Sequence, residues 1–106
     1  MIFRGAIYEI KSLPGARDNG QQGPRYAVII QSKHFTTSTI TIAMTSTSAG
    51  PASYRPEIDF NGSKSRVLTD QIYSVSPSRL GEFKDTLEAH EIADLDRALM
   101  LKLGLI

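Results

Sequence analysis

The chain has 106 residues, enough for one domain with a single modest core. Hydrophobic residues make up 41% and charged residues 22%, the balance of an ordinary soluble globular domain, and no apolar run approaches the ~20 residues of a membrane span. The absence of Cys excludes disulfides and thiolate metal sites, and a net charge of +1 excludes nucleic-acid binding by bulk electrostatics, so any polyanion must be met by locally placed Arg and Lys.

In chain order, apolar residues at Phe3, Ala6, Tyr8 and Ile10 predict a strand over 3–11. Pro14-Gly15 breaks it, and residues 18–24 read as a flexible polar loop. Residues 26–31 predict a buried strand, and 39–45 a β-branched one, joined by a connection over 33–38. Residues 46–54, with Ala49-Gly50-Pro51, read as a second mobile loop. Residues 56–60 and 64–73 flank Asn61-Gly62, the strongest short hairpin signal. Residues 76–80 suggest a helical turn and 82–86 a short last strand. Ile92, Leu95, Leu99 and Leu103 form one stripe at spacings of three and four, which predicts a closing helix. Glu88 and Glu91 fall in its first turn, where negative charge suits the helix dipole, and Gly104 is a fitting stop. Five or six short strands followed by one helix predict a mainly β fold, a small, strongly bent sheet or barrel with the C-terminal helix packed on it, as one domain over 1–106. The first five residues lack the features of a signal peptide, so a cytoplasmic location is expected, with no membrane partner.

Two of these strands end at residues suited to a phosphate. Arg25 opens the apolar run Ala27-Val28-Ile29-Ile30, and Ile40-Thr41-Ile42-Ala43-Met44 runs out into Thr45-Ser46. If the two runs pair antiparallel, Arg25 and Thr45 share one rim of the sheet. An Arg fork fits two phosphate oxygens, and a Thr hydroxyl beside it can bind a third or orient a nucleophile. Nine Lys and Arg residues from Arg4 to Arg79 precede residue 80, whereas Glu82, Asp85, Glu88, Glu91, Asp94 and Asp96 cluster behind it. His34 and His90 are far apart in sequence and form no visible acid–base or metal pair.

Several segments in order resemble the MazF/PemK family of toxins: Arg4-Gly5-Ala6-Ile7-Tyr8, Gln22-Gly23-Pro24-Arg25-Tyr26-Ala27-Val28-Ile29-Ile30-Gln31, Ile40 through Thr45-Ser46, Val67-Leu68-Thr69-Asp70-Gln71-Ile72, Val75-Ser76-Pro77-Ser78-Arg79-Leu80 and Leu99 to Leu105, a closing helix ending in Leu-Gly-Leu. The resemblance implies an SH3-like small β-barrel of the MazF/CcdB type, a homodimer, and an endoribonuclease toxin. Such a toxin would cleave single-stranded RNA without a metal or other cofactor, and a cognate antitoxin with an acidic tail would neutralise it. It puts the catalytic Arg at Arg25 and the catalytic Thr at Thr45. The Pro that commonly follows that Arg is Tyr26 here, and an acidic loop residue corresponds to Gly20.

Metal-free RNA cleavage uses the adjacent 2′-hydroxyl as nucleophile. Arg25 suits charge stabilisation better than proton transfer because its pKa is high. Thr45 would bind a phosphate oxygen or orient the attacking hydroxyl, with Ser46 as a neighbouring donor. The proton acceptor is not evident from sequence. Asp70 is one candidate, through its resemblance to an acidic base in one branch of the family; Asp70 and Gln71 tying down a strand end is the other reading. Gln22, Tyr26, Tyr54 and Arg79 are candidate RNA contacts. Tyr54 either stacks a base or packs on the barrel, and Arg79 either meets RNA or caps its turn. A gyrase poison of the CcdB kind is disfavoured because the chain has no Trp, and a non-catalytic binding module on the same fold is the remaining alternative.

Overall fold

The computed structural model describes residues 2–11 and 24–106, and the polar loop expected over 18–24 lies almost wholly outside them. Among the described residues, six strands and one helix follow in order: β1 (Ala6–Ile10), β2 (Arg25–Ile29), β3 (Ile40–Ser46), β4 (Glu57–Phe60), β5 (Ser63–Val75), a 3-10 turn (Pro77–Arg79), β6 (Leu80–Thr86) and α1 (Ala89–Lys102). All strands join one antiparallel sheet in the order β4-β5-β3-β2-β1-β6. Asn61 and Gly62 both take positive φ, 57° and 77°, as the tight β4–β5 hairpin requires. No helix among the described residues is long and apolar enough to cross a membrane.

Alternation along the strands sends apolar side chains to both faces, and each face is buried differently. One face gathers Ile7, Val28, Ala43, Ile58, Phe60 and Val67 beneath Leu87 and Leu95, with Ile92 and Leu99 partly buried against them. The helix covers this face. The other gathers Tyr8, Ile10, Ala27, Ile29, Ile42, Met44, Leu68 and Val75, with no helical residue among them. A two-sided apolar sheet with one helix must curl around its second face to keep it dry. Register shifts in the β1–β6 and β3–β5 pairings supply the bend. The result is the mainly β, half-barrel form that the strand count predicts.

The helix seats closely because Gly5 lies under it. Gly5 has φ +91°, and a Cβ there would lie 3.1 Å from Ile92 Cδ1. Its N–H donates to Ile29 and its carbonyl accepts from Leu87, so one residue links β2 to the start of the helix segment. The predicted stripe is corrected at its end. Leu103 follows the last helical residue and is 58% exposed, whereas Glu91 and Ala98 are buried with Leu95.

Candidate functional site

The β2–β3 register pairs Ala27 with Met44. Past that pair, β2 runs back through Tyr26 to Arg25 and β3 runs on through Thr45 to Ser46. Arg25 and Thr45 therefore share the rim expected from sequence, on neighbouring rather than directly opposed positions. The Thr45 hydroxyl donates to the Tyr26 carbonyl at 3.0 Å, which fastens the two strand ends together. The Tyr26 ring does not point freely into solvent; it packs edge-on against Phe60 with centroids 4.9 Å apart.

An open cleft of about 550 Å³ occupies this rim. Arg25, Tyr26, Thr45, Ser46 and Gln71 all line it, with Thr47, Ser48, Ala49 and Arg55. Of the two cations among its described lining residues, Arg25 has no side-chain hydrogen-bond or ion-pair partner among the described residues. Ser46 is committed differently: its Oγ accepts from the N–H groups of Ser48 at 3.2 Å and Ala49 at 3.0 Å. Its proton is thus free to point to the neighbouring Ser48 Oγ, 3.4 Å away, or outward.

Asp70 and Gln71 reach the site through an irregularity that sequence patterning does not show. Ala43 pairs with Ile72, but the next residue, Met44, pairs with Leu68. Thr69, Asp70 and Gln71 are therefore extra residues on β5. The bulge delivers Gln71 to the cleft, while Asp70 turns to Arg55 and does not line it. Arg55 grips Asp70 with both arms of its fork, Nε to Oδ1 at 3.2 Å and Nη2 to Oδ2 at 2.8 Å. Those hydrogen bonds hold the Asp70 carboxyl below its ordinary 3.8, against the opposing effect of partial burial. An acid so held is ionised at neutral pH and a weak proton acceptor.

A lowered carboxyl pKa adds stability that is complete above the unfolded-state value and is lost as pH falls through the folded one. The stability difference between the wild type and Asp70→Asn is expected to stay constant above about pH 5 and to close below about pH 4. Urea unfolding at a series of pH values measures it; a difference that changes between pH 6 and 8 would show that Asp70 titrates near neutrality instead.

The remaining sequence candidates lie elsewhere or outside the described residues. Tyr54 is part-buried, with Lys102 Nζ 4.7 Å and Arg55 Cζ 5.5 Å from its ring centroid, so cations rather than open space stand over the ring. Arg79 sits in the 3-10 turn, where its carbonyl accepts from Lys11 N–H, away from the cleft. Gln22 falls outside the described residues. Arg55 is the site residue that sequence reading missed. Its one signal was its place beside Pro56 at the end of a polar loop, which does not reveal a partner fifteen residues away.

Comparison with known proteins identifies the family. Residues 3–103 match the family described as PemK-like, MazF-like toxin of type II toxin-antitoxin system. The candidate toxin Rv3098A of Mycobacterium tuberculosis (strain ATCC 25618 / H37Rv) is 38% identical over 106 residues, covering 99% of this chain and all of that protein. Among solved structures, an endoribonuclease in complex with its cognate antitoxin, from a mycobacterial species, superposes with TM-score 0.80 at 17% identity over 100% of this chain and 98% of its own. MazF from Deinococcus radiodurans superposes with TM-score 0.77 at 20% identity over 97% and 96% of the two chains. Given a family match across nearly the whole sequence and a full-length relative of this identity, the chain belongs to the PemK-like, MazF-like toxins of type II toxin-antitoxin systems.

Proposed function

We propose that the protein is an endoribonuclease that cuts single-stranded RNA, messenger RNA included, at short sequences in the cytoplasm and so inhibits translation and growth. The observation that carries this reading is the cleft itself, where an Arg25 without a partner among the described residues lies beside the hydroxyls of Thr45 and Ser46. In the reaction, the substrate 2′-oxygen bonds to phosphorus as the bond to the 5′-oxygen breaks. The 2′-hydroxyl gives up its proton, the leaving 5′-oxygen takes one up, and the products are a 2′,3′-cyclic phosphate and a 5′-hydroxyl end. Arg25 stabilises the extra charge on the phosphoryl oxygens.

The hydrogen bonds sharpen the hydroxyl roles. Thr45 spends its proton on the Tyr26 carbonyl, so toward RNA its oxygen can only accept. It therefore suits orienting the attacking 2′-hydroxyl rather than donating to phosphate. Ser46 has the converse arrangement, with its lone pairs holding backbone N–H groups and its proton available to a phosphate oxygen.

Incubating the purified protein with a long RNA in EDTA tests the reading. Discrete cuts ending in 2′,3′-cyclic phosphate are expected; binding without cleavage would favour a non-catalytic binding module. The partners follow from the same reading. An antitoxin with an acidic segment would compete with RNA for the Arg25 rim. Pairing with a second copy is supported by the apolar side chains left exposed at the helix end, Leu103, Leu105 and Ile106, at 58–68%.

A further inference from the structure

The loop between β3 and β4 forms one wall of the cleft through Thr47, Ser48 and Ala49. Its near end is tied by the Ser46 hydroxyl, as above. Its far end is tied to the β5 bulge. Thr69 donates its hydroxyl to the Tyr54 carbonyl, and Asp70 takes the Arg55 fork. The third guanidinium nitrogen, Nη1, reaches back to the Gly50 carbonyl at 3.4 Å. One side chain thus joins the loop's middle, the loop's end and the bulge that carries Gln71.

We propose that Arg55 and Asp70 form a positioning clamp that holds the 47–49 wall and Gln71 against bound RNA and so sets its affinity and the sequences cut. The proposal rests on the endoribonuclease reading. The geometry separates it from two direct roles. Arg55 has its charge matched by Asp70 and its fork occupied, which leaves Arg25 as the cleft cation with no side-chain partner among the described residues. Asp70 points at Arg55 rather than into the cleft, so it is not placed to take the 2′-hydroxyl proton. A two-armed Arg–carboxylate pair fixes direction as well as distance, which suits it to holding a wall in place. Bulges beside active sites commonly re-aim side chains in this way.

The test compares the wild type with Asp70→Asn, Arg55→Met and Arg55→Lys. The readouts are steady-state cleavage of an oligonucleotide carrying a site mapped for the wild type, and the sites cut in a long RNA. Loss of the clamp is expected to raise KM roughly tenfold with kcat within about threefold, and to add cut sites. Arg55→Lys, which keeps the charge but not the fork, should fall between. Amide hydrogen exchange across 47–56 should quicken in Asp70→Asn. If that variant fails to fold, Arg55→Lys carries the same measurements. A fall in kcat at constant KM, with the acid limb of the pH profile altered, would make Asp70 a proton acceptor and overturn the clamp. Unchanged KM and cut sites would reduce the pair to a structural tie, overturning it equally. Both results require a wild type that cuts RNA; a wild type that cuts none overturns the endoribonuclease reading first.

Discussion

Arg25→Ala is expected to lower RNA cleavage by about 10²–10³-fold, the usual cost of removing one donor aimed at developing charge. The fold should survive, because the Arg25 side chain has no hydrogen-bond or ion-pair partner among the described residues to leave stranded. Arg55, the other cation among the cleft's described lining residues, cannot take its place, since it is already paired with Asp70. The effect should fall on kcat, as charge accumulates on the phosphoryl oxygens only in the transition state. Single-turnover cleavage, with circular dichroism to check folding, decides the matter. Cleavage within tenfold of the wild type, from a folded variant, would move the charge-stabilising role away from Arg25.

The largest stability effect is expected at Glu91, away from the cleft. Its side chain is almost fully buried, 4% exposed, yet both carboxylate oxygens are used. Oε1 accepts from Glu88 N–H at the helix start, and Oε2 accepts from Asp59 N–H on β4, each at 2.9 Å. One residue thus caps α1 and straps it to an edge strand. Glu91→Ala strands two backbone donors, and the cost is expected to be about 2–4 kcal/mol, from hydrogen bonds to charge at roughly 1.5–3 kcal/mol each with partial replacement by water. In a domain of this size that lowers Tm by about 10–20 °C. Urea unfolding should show an earlier midpoint at an unchanged slope. A loss below about 1 kcal/mol would mean that water satisfies both donors fully.

Glu91 also shows where sequence legibility ended. Its first-turn position was readable, as was its favourable interaction with the helix dipole. Its bond to Asp59 was not, because the two are joined only when the helix packs across the sheet. Asp70 is a parallel case. The Asp70-Gln71 segment stood out by resemblance, but a bulge has no periodic signature, and its ion pair spans fifteen residues. Tyr26 read as a departure beside Arg25, the residue that the resemblance makes catalytic; in the fold its ring gains a packing partner in Phe60.

The sequence alone determined the strand order in the chain, the Asn61-Gly62 hairpin and the closing helix, and it made the meeting of the Arg25 and Thr45-Ser46 strand ends conditional on antiparallel pairing. Each depends on local alternation, turn chemistry or a short antiparallel pairing, and those are written in neighbouring residues. Tertiary structure alone decided the cross-strand step that sets Thr45 against Tyr26, the direction of each hydroxyl's proton, and the commitment of Asp70 to Arg55. These depend on register and on contacts between distant segments, where a shift of one residue turns every side chain to the other face.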